Sequence, residues 1–128
     1  MLPHKHFLIS GFFIAILALI VRLDAKTAVL WILIGGLVSA FIDIDSLLLL
    51  IFTRDMRLKR FGSLKSMFLN YDELIHVLGK TGKLRFLAIT HSMISIAIII
   101  ITLFFFSSYL VPVLVGIISH LLSDLRYV

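Results

Sequence analysis

The sequence predicts an all-α fold: an integral membrane bundle of about four transmembrane helices, with an interfacial amphipathic helix between the second and the third. Three observations carry that expectation. Hydrophobic residues make up 61% of the 128 residues, and mean hydropathy is +1.15, beyond the near-half apolar share of soluble domains. The apolar residues gather into four runs, and four spans of roughly 20 residues fit this length. Most charges fall between the runs, as topology determinants do. The chain reads as one domain, 1–128.

The first run, Phe7 to Val21, lies between Lys5 and Arg22. It is short for a span. A signal peptide is the rival reading, but no small-residue cleavage pattern follows, so the run reads as an uncleaved helix lengthened by snorkelling of Lys5 and Arg22. The second run, Thr27 to Thr53, is interrupted by Asp43 and Asp45. The third runs from Phe86 to Phe106. Ser107-Ser108 break the pattern, and Val111 to Leu122 form the fourth, with Pro112 in its first turn, where proline is tolerated. The last two runs predict a tight helical hairpin.

The segment Arg54 to Arg85 carries eight Lys/Arg against Asp55, Asp72 and Glu73. Phe61, Leu64, Met67, Phe68, Tyr71, Leu74, Ile75 and Leu78 recur in steps of three and four, one face of a helix over 61–78. With Arg57, Lys59, Arg60 and Lys65 nearby, that helix is expected to lie on the membrane surface, ended by Gly79 and Gly82. The positive-inside rule makes residues 54–85 a cytoplasmic loop. Four spans then put both termini in the cytoplasm of a multi-pass membrane protein.

Several function classes are excluded. Without cysteine, disulfides, thiolate metal sites and Cys nucleophiles are absent. The net charge of +5 is explained by topology rather than by nucleic acid, which is not an expected partner; membrane lipids are. Gly79-Lys80-Thr81 looks like the end of a phosphate-binding loop, but that motif needs a glycine where Leu74 stands. Neither Gly-x-Ser-x-Gly nor His-Glu-x-x-His occurs.

The informative residues are polar groups inside the apolar runs, where a charge costs about 2.5–3.5 kcal/mol on insertion scales and faces the bundle interior. His6 begins run one, Asp43 and Asp45 lie about two-thirds along run two, His91 lies early in run three, and His120 and Asp124 end run four. In the expected topology all six fall in one half of the bilayer, although none was used to assign it. Three carboxylates and three imidazoles suit a divalent ion such as Zn, Mn or Fe. His120 and Asp124, four apart, share a helical face. Asp43 and Asp45 point roughly 200° apart on a regular helix, so both face one centre only if the helix breaks, which Asp45-Ser46 can do by capping a new one.

Each residue also has a structural reading. His6 alone anchors an interface, a lone His91 is a packing residue, Asp124 meets Arg126 at the membrane edge, and His4 and His76 are solvated. Two carboxylates in one span are hardest to explain so, and jointly the six favour a metal site. Gly35, Gly36, Ser39 and Ala40 form a small-residue packing surface, as does Gly116, which shares a stripe with His120 and Asp124 flanked by Ser119 and Ser123.

His6-Phe7-Leu8, Ile42-Asp43-Ile44-Asp45-Ser46, Thr90-His91-Ser92 and Ser119-His120-Leu121-Leu122-Ser123-Asp124 together resemble the motifs of membrane-bound metal-dependent hydrolases related to LexA-regulated inner-membrane proteins. Order and rough spacing agree over nearly the whole chain. The resemblance implies a prokaryotic inner-membrane hydrolase. Two positions depart from it: Ile42 stands where the family has proline, and Phe86-Leu87 stand where it has His-Arg, with Arg85 displaced by two positions.

The leading expectation is a metal-dependent hydrolase acting at the cytoplasmic face on a lipid-linked or phosphoester substrate. His6, Asp43, Asp45, His91, His120 and Asp124 are the ligand candidates for one or two ions, and Asp43 is the candidate general base. The alternative is a non-catalytic small membrane subunit of a larger complex, with protein partners in the membrane and a structural polar or metal cluster. A conductor needs polar residues on both sides of the midplane, which these runs lack.

Overall fold

Local sequence dictates where each helix starts and stops. The computed structural model describes residues 3–59, 61, 63, 66 and 70–124. Helix α1 (Pro3–Ile20) ends in a turn with Arg22 at φ 55. Asp24 then caps α2 (Ala25–Phe41), its Oδ1 accepting the Lys26 and Thr27 backbone N–H groups at 3.1 Å. The Thr27 side chain, together with these backbone bonds, stabilises the ionised cap and lowers the pKa of Asp24. Helix α3 (Ile44–Phe52) follows α2 after Ile42 and Asp43, and α4 (Met56–Lys59) and α5 (Tyr71–Lys80) lie in the connecting segment. Gly82, at φ 69, takes a left-handed turn that opens α6 (Lys83–Phe105). A 3₁₀ turn at Ser107–Tyr109 leads into α7 (Leu110–Asp124), the expected hairpin, with Pro112 in the first turn of α7.

The described residues are helical with no strand. Three stretches are long and apolar enough to cross a membrane: Ala25–Phe52 through the α2–α3 junction (28 residues), Lys83–Phe105 (23) and Ser107–Asp124 (18). The first apolar helix, His4–Ile20, falls short of that length. Helices α1, α2 and α7 pack mutually, and α6 rests against α7, α3 and α5.

The contacts among α1, α2 and α7 use small residues. A Cβ on Gly116 would collide with the Gly35 carbonyl oxygen, and one on Gly35 would come within 2.5 Å of the Pro112 carbonyl oxygen. A Cβ on Gly36 would sit 2.8 Å from the Phe7 ring. Backbones in such close approach gain van der Waals contact that lipid cannot supply.

Two expectations shift. The helix break lies at Ile42–Asp43, earlier than Asp45-Ser46: α2 ends at Phe41, α3 begins at Ile44, and the Asp43 side chain makes no capping bond. A continuous helix over 61–78 does not form, because Phe61 lies in a turn, Ser63 in a bend, and the helix starts at Tyr71. Leu64, Met67 and Phe68 lie outside the described residues. Within α5, Leu74 and Leu78 do share a face, but they are buried against Leu50, Leu58, Phe61 and Leu87. The face expected to rest on lipid is therefore covered by the protein itself, which removes more water from it than an interface would. His4 and His76 are exposed, as expected.

Candidate metal centre

The polar residues of the four apolar runs meet where α1, the α2–α3 junction, α6 and α7 converge. His120 and Asp124 lie on one face of α7, and His6 reaches them from the first turns of α1. His6 and His120 are fully buried, with ring centroids 4.0 Å apart. The junction supplies Asp43. Donor atoms of His6, Asp43, His120 and Asp124 all lie within 4.8 Å of one another. His6 Nε2 is 3.3 Å from Asp124 Oδ1 and 3.6 Å from Asp43 Oδ2. His120 Nε2 is 3.4 Å from Asp124 Oδ2 and 3.8 Å from Asp43 Oδ1. This buried cluster can hold a metal ion.

The other two candidates form a pair at its edge. His91 Nδ1 is 2.5 Å from Asp45 Oδ2, and the Thr90 hydroxyl donates to the same oxygen at 2.6 Å. His91 Nε2 lies 3.4 Å from Asp43 Oδ1, and its ring centroid is 5.3 Å from that of His120. Asp43 and Asp45 thus address opposite nitrogens of one imidazole, an arrangement a straight helix forbids and the break permits. Asp45 is not in the four-residue group; it orients His91.

Ser123 Oγ lies 2.8 Å from both the His120 carbonyl oxygen and His6 Nδ1, a contact that either tautomer of His6 satisfies. A carboxylate is an acceptor, so His91 donates from Nδ1 to Asp45. The Nε2 atoms of His6 and His91 face carboxylate oxygens. His6 Nε2, Asp43 Oδ2 and both ring nitrogens of His120 are buried without a hydrogen-bond partner among the described residues. Buried polar atoms rarely stay unpaired. Imidazoles set this close to carboxylates call for positive charge, which protons or a cation can supply, and the donor set fits a divalent ion.

Three contributors were missed in the sequence. Ser10 bonds Ser39 at 2.7 Å and Ser119 at 2.5 Å, joining α1, α2 and α7 beneath the cluster. Its position four residues after His6, on the same helical face, was the available signal. Thr90 steadies Asp45, and Ser123, read as a packing residue, contacts His6 Nδ1. Arg85 is exposed and contributes nothing to the cluster among the described contacts. No protein-family model matches the chain, and no curated protein and no solved structure matches it either.

Proposed function

We propose that this chain is a membrane-embedded, metal-dependent hydrolase, a member of the inner-membrane family its motifs resemble, acting on a lipid-linked or phosphoester substrate. The observation that supports it is the convergence of His6, Asp43, His120 and Asp124 within 4.8 Å, with buried atoms of His6, Asp43 and His120 that no described residue hydrogen-bonds. That spread suits one ion, whose ligands at about 2.0–2.2 Å stand roughly 4 Å apart or less, better than two ions separated by about 3.5–4 Å. Zn, Mn and Fe all accept this donor set.

In this reading His6, His120 and Asp124 hold the ion, and His91 Nε2 closes its edge. Asp45 and Thr90 keep the His91 Nδ1–H in place, a carboxylate–histidine support that orients ligands at metal sites. Asp43 Oδ2, free of hydrogen bonds, is the oxygen suited to accept a proton from an attacking water. A bound ion supplies the remaining chemistry, lowering the pKa of water to about 7 and polarising the scissile group. Four spans place the cluster in the cytoplasmic half of the bilayer, with both termini and residues 54–85 on that side.

The exposure of Arg85 and the Phe86-Leu87 pair favour a second reading, a non-catalytic membrane subunit whose cluster is neutralised by protons. Chelation separates the two. An ion that binds only the folded state stabilises it by about 2.7 kcal/mol at 100 times its Kd. Protein supplied with Zn or Mn should therefore lose that much on stripping, and His120→Ala should lose metal and stability together. If the supplied protein holds no ion and ignores chelator, the hydrolase reading fails and the subunit reading stands. For topology, single cysteines replacing Ser63 and Ser108 should label from opposite sides of sealed cells; labelling from one side would exclude four spans.

A further inference from the structure

A groove of about 610 Å³ runs between α3 and α6; none of His6, Asp43, His120 and Asp124 lines it, while Asp45, at the edge of that cluster, does. Its walls are Leu48, Phe52, Phe86 and Met93, exposed by 45–79%. A volume of this size falls in the range of ligand sites. Arg54 and Lys83 form a polar outer rim. Thr90 and Asp45 lie partway along the wall, and Met93 and Ile94 line it about one turn deeper. Lys83 opens α6, and Thr90 lies about two turns, or ~10 Å, deeper along the same helix. A cationic rim thus leads into an apolar channel directed toward the membrane interior.

Among the described residues, the charge at the rim is not cancelled. Asp55 is the acid beside it, and Arg57 engages both Asp55 oxygens at 3.2 Å. Lys83 Nζ bonds Thr53 Oγ1 at 2.8 Å and stands 3.9 Å from Asp55 Oδ2. Arg54 is exposed, and no described residue pairs with it. Two cations beside one acid already held by a guanidinium leave the rim positive. An anion that also carries a chain long enough to fill the channel satisfies rim and channel at once.

We propose that this groove binds one molecule of anionic phospholipid, its phosphate between Arg54 and Lys83 and an acyl chain along Leu48, Phe52, Phe86 and Met93. Basic residues at a membrane surface attract anionic headgroups, and the concave apolar wall selects a bound chain from the surrounding bilayer. On its way the chain passes Thr90 and Asp45, the pair that supports His91. Only one extension rests on the hydrolase reading: that the groove delivers a lipid-linked substrate to the metal cluster. Lipid binding itself does not.

The test uses the full chain reconstituted in phosphatidylcholine vesicles that carry a trace of spin-labelled phosphatidylglycerol or spin-labelled phosphatidylcholine. The motionally restricted fraction should be larger for phosphatidylglycerol. The Arg54→Gln/Lys83→Gln protein should lose that preference, roughly fivefold per cation removed. Met93→Trp, which fills the channel, should abolish the preference with both cations present, and millimolar inorganic phosphate should not. Equal restriction of the two lipids in the unaltered protein overturns the proposal without any variant. So does a preference that survives the double substitution, or one that phosphate removes while Met93→Trp leaves it intact, which would mark a free-anion site. Metal-stripped protein should still select phosphatidylglycerol. Lipid selection without metal binding would overturn the hydrolase reading alone, and metal binding without lipid selection would overturn the groove alone.

Discussion

Helices α2 and α7 meet through Gly35 and Gly116, backbone against backbone, whereas the segment between α3 and α6 is held by Leu58, Phe61, Leu74 and Leu78 packed on Leu50 and Leu87. Each device suits its surroundings. Within apolar spans the surrounding lipid is as apolar as leucine, so clustering large apolar side chains gains little, and close backbone contact with buried hydroxyl bonds takes over. The connecting segment is rich in charge and lies outside the spans. There, large apolar side chains gain by leaving water, and the segment builds a small core like that of a soluble domain.

The largest effect that would break this comparison is at the α2–α7 contact. Gly116→Leu would press a side chain onto the Gly35 backbone, which cannot rotate away as a side chain can. Overpacking ordinary cores costs about 1–3 kcal/mol; here the expected cost exceeds that. The protein should lose its thermal transition, and any ion bound at the cluster with it. A folded, metal-binding Gly116→Leu protein would show that the close contact is dispensable.

Leu74→Ala probes the other core. Leu74 is 1% exposed, and large-to-small changes in water-facing cores cost about 2–5 kcal/mol. Denaturation should show that loss together with increased proteolysis between α3 and α6. A negligible cost would mean that lipid rather than protein covers this face.

Ser10→Ala removes the hydroxyl shared by Ser39 and Ser119. Interhelical hydrogen bonds in membranes average about 0.6 kcal/mol, with a maximum near 1.7, so the expected change in denaturation midpoint is small. A larger loss would mean that the serines position His6 as well as join helices, and metal affinity would fall with them.

The smallest effect concerns Asp55. Its hydrogen bonds with Arg57, aided by Lys83, hold its pKa below the ordinary value of 3.8. The ionised form is thus favoured by folding. That contribution is complete above the ordinary carboxylate range and fades as pH falls through the lowered folded value. Asp55→Asn should flatten the acid limb of the stability–pH curve and leave neutral stability nearly unchanged, since exposed ion pairs contribute little. An unchanged acid limb would assign it to other carboxylates.

Much of the architecture was legible residue by residue. Run length and hydropathy marked the three stretches long enough to cross a membrane, and Ser107-Ser108 and Pro112 marked the hairpin; the two aspartates pointed to a break in the second run, which lies at Ile42–Asp43 rather than at Asp45-Ser46. These are local properties: helical period, hydrophobicity and backbone preference act over a few residues. The ligand types were legible for the same reason, since Asp and His inside an apolar run are costly wherever the run packs.

What tertiary structure alone decided is which atoms meet. The candidate residues divide into His6, Asp43, His120 and Asp124 around one centre, and Asp45 with His91 beside it, because the bend at Ile42–Asp43 sends the two carboxylates to different nitrogens of one ring. Ser123 meets His6 Nδ1 only because α1 packs on α7 there. Leu74 and Leu78 turn inward because Leu50 and Leu87, from helices distant in sequence, stand ready to cover them. Periodicity states that a face is apolar, but whether protein or lipid covers it depends on how helices cross, and that is set by contacts between residues far apart in the chain.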